Sequence, residues 1–430
     1  LPVGFCPDKG RVHARHVLIL GADGFIGRHI AFAARPRGWQ VTAHARNPAG
    51  LQHMGFDTLR ADLTDPVTHD PAFWRPVLAE GAHVINAAGL LTGAEAAMHA
   101  VHVAAPTAVY AALSPGARGV LISAIGIEAQ TPFARHRRDG EAAAPDSIAI
   151  LRPGLVLGHT SYGGSSLARA LAALPLVTPV VGKGDQPFNP IHADDLAAIA
   201  LHCVEHPPLA GQHVVGGPET VTQKQMLQAL RGWMGLRPAI TLRLPGPLAR
   251  MMGTIGDAMC LGPISRTAVD QLSQNMHAPH TLPEGPQPRP FTDILHAQPC
   301  GTQDLWHARL YLMRPVLRLA LAVLWLVSGL IGLTLPAADF LPLVPDTLPD
   351  TALILEARAG GLADLAIAAA LLRGWRPRMM AAVQFGMIVA YTAAFTLLNP
   401  ALWLLPLGGL LKNVPLLVLI AMAAIVERER

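Results

Sequence analysis

A strand-like run, HVLIL, leads into three glycines spaced as Gly21, Gly24 and Gly27, and the residues that follow, FIGRHIAFAA, have helical periodicity. The unbonded amides of a helix start, reinforced by the helix dipole, suit a pyrophosphate. Gly21 permits the tight turn, Gly24 lets a phosphate approach main chain, and Gly27 lets helix pack on strand. Asp23, Phe25 and Ile26 complete the turn. Where the next strand ends, a carboxylate would hold the ribose hydroxyls of NAD, but QVTAHARNP offers Ala45 and then Arg46. A guanidinium pairs with a 2′-phosphate through its planar fork, so NADP is expected in preference to NAD.

Other polar residues carry two readings each. His136 is a candidate substitute acid, since imidazole is the side chain suited to proton transfer near neutral pH, yet a histidine in an arginine-rich helix is expected to be solvated. Arg152 either grips a substrate or pairs with a neighbouring carboxylate. Asp194 and Asp195 are expected to cap the helix that HADDLAAIA begins. Cys6, Cys203, Cys260 and Cys300 stand far apart, without a CxxC pair or a clustered histidine, so they read as reduced thiols and no metal is expected.

The elements that must position these residues follow a βαβ rhythm. HVLIL, WQVTAHA, HVINAAG, GVLISAIG and IAILRPGLVLG are strands separated by helical stretches, which implies a parallel sheet covered by helices on both faces. A helix is expected near residues 221–234, and the prolines of HAPHTLPEGPQPRPF forbid one there. The 430 residues exceed what one hydrophobic core supports. We expect a ragged start over 1–15, a dinucleotide-binding unit over 16–240, a substrate-side region and linker over 241–307, and a membrane unit over 308–430. The start lacks the apolar core of a signal peptide.

Hydrophobic residues form 51% of the chain and charged ones only 14%, too apolar for a purely soluble protein. Residues 319–335 and 379–398 carry no charge and read as membrane spans. Residues 351–372, with Glu356, Arg358 and Asp364, and the short 414–426 are weaker candidates that bring the total to four. Arginines 309, 314 and 318 precede the first span, and 373, 376 and 378 lie between the second and third, while the segment 336–350 holds three aspartates and no Lys or Arg. The positive-inside rule then places the N-terminal unit and the ERER tail in the cytoplasm of a multi-pass protein of the bacterial inner membrane. Asp364 and Lys412 either pair across the bundle or, for Lys412, snorkel to the interface. The net charge of +4 comes without a basic block, so no nucleic-acid partner is expected.

GADGFIG, ARNP, ADLTDP, NAAG, LISAIG, LRPGLVLG and IHADDLA occur in the order found in the atypical or extended short-chain dehydrogenase/reductases, and the chain resembles that family, especially the group of the complex I 39-kDa subunit. The resemblance spans about residues 17–235 and implies a Rossmann doubly wound α/β fold. It implies that Asp62 and Leu63 touch the adenine, that Ala87, Ala88 and Gly89 back the cofactor, that Ser123 lies near the nicotinamide ribose, and that Pro153 lies near the nicotinamide end. The family's catalytic Tyr and Lys fall on Phe133 and Arg137 of TPFARHRRDGE. Phenylalanine has no exchangeable proton, whereas Arg137 can still hold ribose hydroxyls. The tail, with ARLYLMRPVLRLALAVLWLVSGLIGL and PLGGLLKNVPLL, resembles the DoxX-like membrane domain, which implies an all-α four-helix module linked to quinone redox chemistry. The expectation is a membrane-tethered oxidoreductase passing hydride from NADPH to a quinone or another lipophilic acceptor at the lipid bilayer. The alternative is a non-catalytic NADPH-binding sensor or assembly protein. A sugar-nucleotide epimerase fits least, because its chemistry relies on the missing tyrosine.

Overall fold

The computed structural model describes residues 15–78, 81–206, 211–259, 265–266, 269–270, 276–343 and 349–427. The expectations for residues 1–14, Cys6, Cys260 and the last residues of the ERER tail lie outside them. Seven parallel strands form one sheet: β1 (His16–Leu20), β2 (Gln40–Ala45), β3 (Asp57–Arg60), β4 (His83–Asn86), β5 (Gly119–Ile122), β6 (Ile148–Pro153) and β7 (Gly211–Val215). Their spatial order is β7-β6-β5-β4-β1-β2-β3. The order reverses between β1 and β4, which opens a crevice beyond their carboxyl ends. This is the Rossmann arrangement that the βαβ rhythm implied.

Successive residues of β1 serve opposite faces, as pleating requires. Val17 and Ile19 enter a core with α1 (Phe25–Ala34) and the helix Ala193–Glu205, whereas Leu18 and Leu20 enter another with Trp74, Val101 and Val109. All four are fully buried. Such apolar runs are what a strand covered on both faces needs. A third core holds Phe188, Met226 and Leu230, and the expected helix appears as Gln223–Trp233. Farther on, Ile240–Leu244 returns to pair in parallel with Val177–Val181. Thr302–Tyr311 packs on Gly164–Ala173, and Leu312 alone separates it from the helix Met313–Thr334.

The tail is helical: Met313–Thr334, Asp350–Leu372, Pro377–Leu398 and Asn413–Val426. Three stretches, Met313–Thr334, Pro377–Leu398 and Gly409–Val426, are long and apolar enough to cross a membrane. Asp350–Leu372 has the length but not the apolar composition, and its polar groups are used inside the bundle. Arg358 donates to the carbonyls of Gly332 at 2.7 Å and Leu335 at 2.8 Å, capping the preceding helix. Asp364 accepts from the Ser328 hydroxyl at 2.6 Å. The pairing with Lys412 is therefore not found, because a hydroxyl on the facing helix takes the carboxylate and Lys412 is exposed. Glycines bring these two helices together: a Cβ on Gly329 would stand 2.8 Å from the Gly361 carbonyl.

Candidate functional site

At the crevice, β1 ends on Gly21, whose φ of 69° falls in the left-handed region that favours glycine. The turn leaves no room for side chains. A Cβ on Gly27 would come within 2.2 Å of the Gly21 carbonyl oxygen, so α1 reaches its depth against the strand only with glycine there. The Arg28 amide is the first to bond inside the helix, to the Gly24 carbonyl at 3.0 Å, which leaves the amides of Phe25, Ile26 and Gly27, the helix's first turn, without an intrahelical acceptor.

A cleft of about 720 Å³ opens over this turn. Gly21, Asp23, Gly24, Phe25, Ile26, Arg46, Asp62, Leu63, Ala87, Ala88 and Gly89 all line it, eleven of the residues singled out in the sequence. Thr64 donates through its amide and its hydroxyl to Asp62, holding that carboxyl below the usual range. Buried Asn86 accepts from the Ala88 amide at 3.1 Å and fixes the strand-end loop.

Ser123, Arg137 and Pro153 are not in the lining of that cleft, although Arg137 stands beside its Gly89. Arg137 donates to the Ile122 carbonyl at 3.0 Å, one residue from Ser123, whose buried hydroxyl has no partner among the described residues. A Cβ on Gly89 would overlap the Arg137 guanidinium, so the glycine opens the arginine's route to the cleft. Phe133 lies under that guanidinium, 5.5 Å from ring centre to Cζ. Burial pushes Arg137 down to about 10. Pro153 is buried at the end of β6, opposite Val215.

Four further residues escaped the sequence reading. Arg28 lines the cleft, half-buried, and donates to the Asp23 carbonyl at 2.8 Å; a basic residue just after the last glycine was the available signal. Tyr162 supplies a phenol to the lining from a region without periodic pattern. His44 is buried at the end of β2, and desolvation holds it down to about 4. His102 sits in a π-helical turn, Ala100–Ala104, where its Nε2 meets the Leu90 main chain; burial, then Arg137, lowers it to about 3.

Two expectations are corrected and one alternative is decided. His136 is buried rather than solvated, its Nε2 3.0 Å from Glu95, because its face of the helix packs inward. Of its two readings, Arg152 takes the carboxylate partner, with Nη2 2.5 Å from buried Glu141. His192, not an aspartate, caps Ala193–Glu205 by accepting from the Asp194 amide at 3.2 Å. Asp195 instead pairs with Arg289 at 2.9 Å, and Asp194 gathers three histidines. Cys203 and Cys300 are free, and burial raises Cys203 to about 12, as expected of an inert thiol.

The glycine turn, parallel sheet and crevice define a Rossmann-type fold of the kind the short-chain dehydrogenase/reductase resemblance implied. The chain joins it to a DoxX-like domain: residues 322–421 match the model of the DoxX-like family. Over 254 residues the chain is 28% identical to the ceramide reductase of Caulobacter vibrioides (strain NA1000 / CB15N), covering 56% of this chain and 77% of that protein. It is 23% identical over 250 residues to the uncharacterized protein y4nG of Sinorhizobium fredii (strain NBRC 101917 / NGR234), covering 51% of this chain and 61% of that one. Among solved structures it is similar to human epimerase family protein SDR39U1 (isoform 2) with NADPH, at a TM-score of 0.45 and 19% identity, covering 69% of this chain and 99% of that one.

Proposed function

We propose that this chain is a membrane-tethered, NADPH-dependent reductase whose acceptor is a lipophilic carbonyl compound, either a lipid ketone or a quinone. The observation that carries the reading is the cleft over the glycine turn, lined by both Arg28 and Arg46, in a chain that continues into helices apolar enough to cross a membrane. The relative named ceramide reductase supports a lipid acceptor of the ceramide class over a quinone.

The residues present fit the cofactor. The amides of the first turn of α1 and the close approach at Gly21 suit a pyrophosphate, Asp62 and Leu63 suit the adenine side, and two guanidiniums suit a 2′-phosphate. When bound, the reduced nicotinamide supplies hydride. Arg137, beside Gly89, would hold its ribose, and the Ser123 hydroxyl, without a partner among the described residues, would be the donor for the acceptor oxygen. Phe133 delivers no proton, which leaves that task to Tyr162, the phenol of the cleft lining, or to water. We assign the dinucleotide unit to 16–240, the substrate-side region to 241–307 and the membrane unit to 308–430. Arginines 309, 314 and 318 favour a cytoplasmic cleft.

The second reading, an NADPH sensor without turnover, is favoured by Phe133 alone. One experiment separates the two: oxidation of NADPH by the purified full chain with ceramide-type ketones and with quinones, for wild type, Tyr162→Phe and Phe133→Tyr. Turnover with a lipid ketone that drops in Tyr162→Phe supports the reductase. NADPH binding with no turnover in any of the three supports the sensor, and no NADPH binding overturns both.

A further inference from the structure

Four donor groups from three separate stretches of chain meet at α1. His29 lies one helical turn after Phe25, His159 follows the strand Val156–Leu157, and His192 and Asp194 stand at the start of Ala193–Glu205. His29 Nδ1 is 2.8 Å from one Asp194 carboxylate oxygen, while His159 Nε2 and His192 Nδ1 are 3.1 and 3.4 Å from the other. The ligand atoms of His159, His192 and Asp194 all lie within 4.8 Å of one another.

We propose that His159, His192 and Asp194 bind one divalent transition-metal ion, Zn²⁺ by the chemistry of the set, with His29 holding the Asp194 carboxylate from the other side. Two imidazoles and a carboxylate are nitrogen and oxygen donors that zinc takes. Bonds of about 2.0–2.1 Å to a tetrahedral ion set its donors roughly 3.3 Å apart. The spacings around Asp194 are already near that.

Hydrogen bonding alone leaves the cluster uncompensated. His159, whose Nδ1 donates to Gln298, faces Asp194 Oδ2 at 3.1 Å with the lone pair of Nε2 against those of the carboxylate. A cation between them turns that repulsion into coordination, and His192 joins it on giving up the bond in which its Nδ1 accepts from the Asp194 amide. The outer side of His159 is prepared for it: Nδ1 is bonded to the amide oxygen of Gln298, which fixes the tautomer with a lone pair on Nε2, facing the cluster. His29 is held from behind as well, since Gly158 leaves only the space a glycine needs beside its Nε2.

Three protein ligands leave one position of a tetrahedral ion for water or a further ligand. The ion would join the stretch that includes Gly158 and leads to Tyr162 to the start of Ala193–Glu205, whose Asp194 also bonds His29 of α1. This inference does not rest on the nucleotide reading.

The test uses the untagged full chain in detergent, stripped with a chelator and titrated with Co²⁺ and then Zn²⁺. The expected result is one equivalent of Co²⁺ with the intense visible bands of a tetrahedral nitrogen-oxygen site, displaced by Zn²⁺. His159→Ala, at a half-exposed position that leaves the core intact, and Asp194→Asn lower Co²⁺ affinity at least about 100-fold, and Gln298→Ala lowers it about 10-fold. His53→Ala, at an exposed position away from the cluster, changes nothing. Circular dichroism of each variant confirms folding. No saturable Co²⁺ binding, a weak octahedral spectrum, or binding equally tight in His159→Ala and Asp194→Asn overturns the site.

Discussion

Replacing Arg46 by alanine tests cofactor choice most directly. Arg46 is exposed at the rim of the cleft, and its charge acts on Asp62. A hydrogen bond to a charged group contributes about 1.5–3 kcal/mol, and exposure puts Arg46 at the lower end. Its loss then weakens NADPH by about tenfold, since each 1.4 kcal/mol is a factor of ten. Removing it also leaves Asp62 unopposed beside the incoming phosphate, which pushes in the same direction. Arg28 is half-buried with its Nε unpaired, so Arg28→Ala weakens NADPH further, by roughly 30–100-fold on the same scale. NADH lacks the 2′-phosphate, so its affinity changes little in either variant. Fluorescence titration of the full chain with both reduced cofactors reads the ratio. Equal losses for NADPH and NADH, or an unchanged NADPH affinity in the double variant, would refute the assignment of these arginines.

Three further outcomes follow from the geometry. Gly27→Ala drives a methyl to 2.2 Å from the Gly21 carbonyl, displacing α1, and both cofactors are expected to lose binding by more than about 100-fold. Arg152→Leu strands the Glu141 carboxylate, whose side chain is only 2% exposed. A stability loss of about 3 kcal/mol is expected in thermal or denaturant unfolding, largely recovered in Arg152→Leu/Glu141→Leu. Acidification should also destabilise the chain through His44 and His102. Their folded values, about 4 and about 3, lie below the ordinary 6.5, so the unfolded chain binds more protons once the pH falls below about 6.5. Stability is full above that pH and declines as it drops toward 4, by an order of 3 kcal/mol for His44. A melting temperature that stays level from pH 7.5 to 5 in wild type would refute this, and His44→Gln should flatten the decline.

The glycine turn and the buried strands were legible because local physics dictates them. Gly27 answers to the Gly21 carbonyl six residues back and Gly21 to its own positive φ, and β1 is apolar on both faces because both faces are covered. Arg28 was in plain view but hidden by the attention that glycines draw. What stayed illegible depends on contacts distant in sequence. His29 and Asp194 are 165 residues apart, and His159 and Gln298 are 139 apart, so no spacing rule joins them. His136 misled for the same reason: arginines on either side suggested solvent, while its own direction on the helix is set by Glu95. In the tail, no spacing rule shows that Arg358 and Asp364 of Asp350–Leu372 find their partners on the facing helix.

The passage from Tyr311 through Leu312 to Met313 does more than join two parts of the chain. Tyr311 donates to the Gly163 carbonyl at 3.5 Å, and Arg318, within the first membrane helix, donates to the Met259 carbonyl at 2.6 Å. A flexible tether would let a catalytic head sweep a volume, and its encounter with a membrane-borne molecule would follow the statistics of linker length. A one-residue junction braced on both sides replaces those statistics with a fixed reach. On the proposed lipid-acceptor reading, lengthening it with a glycine-serine insert would dilute the local concentration of that acceptor at the cleft without touching any residue that lines it.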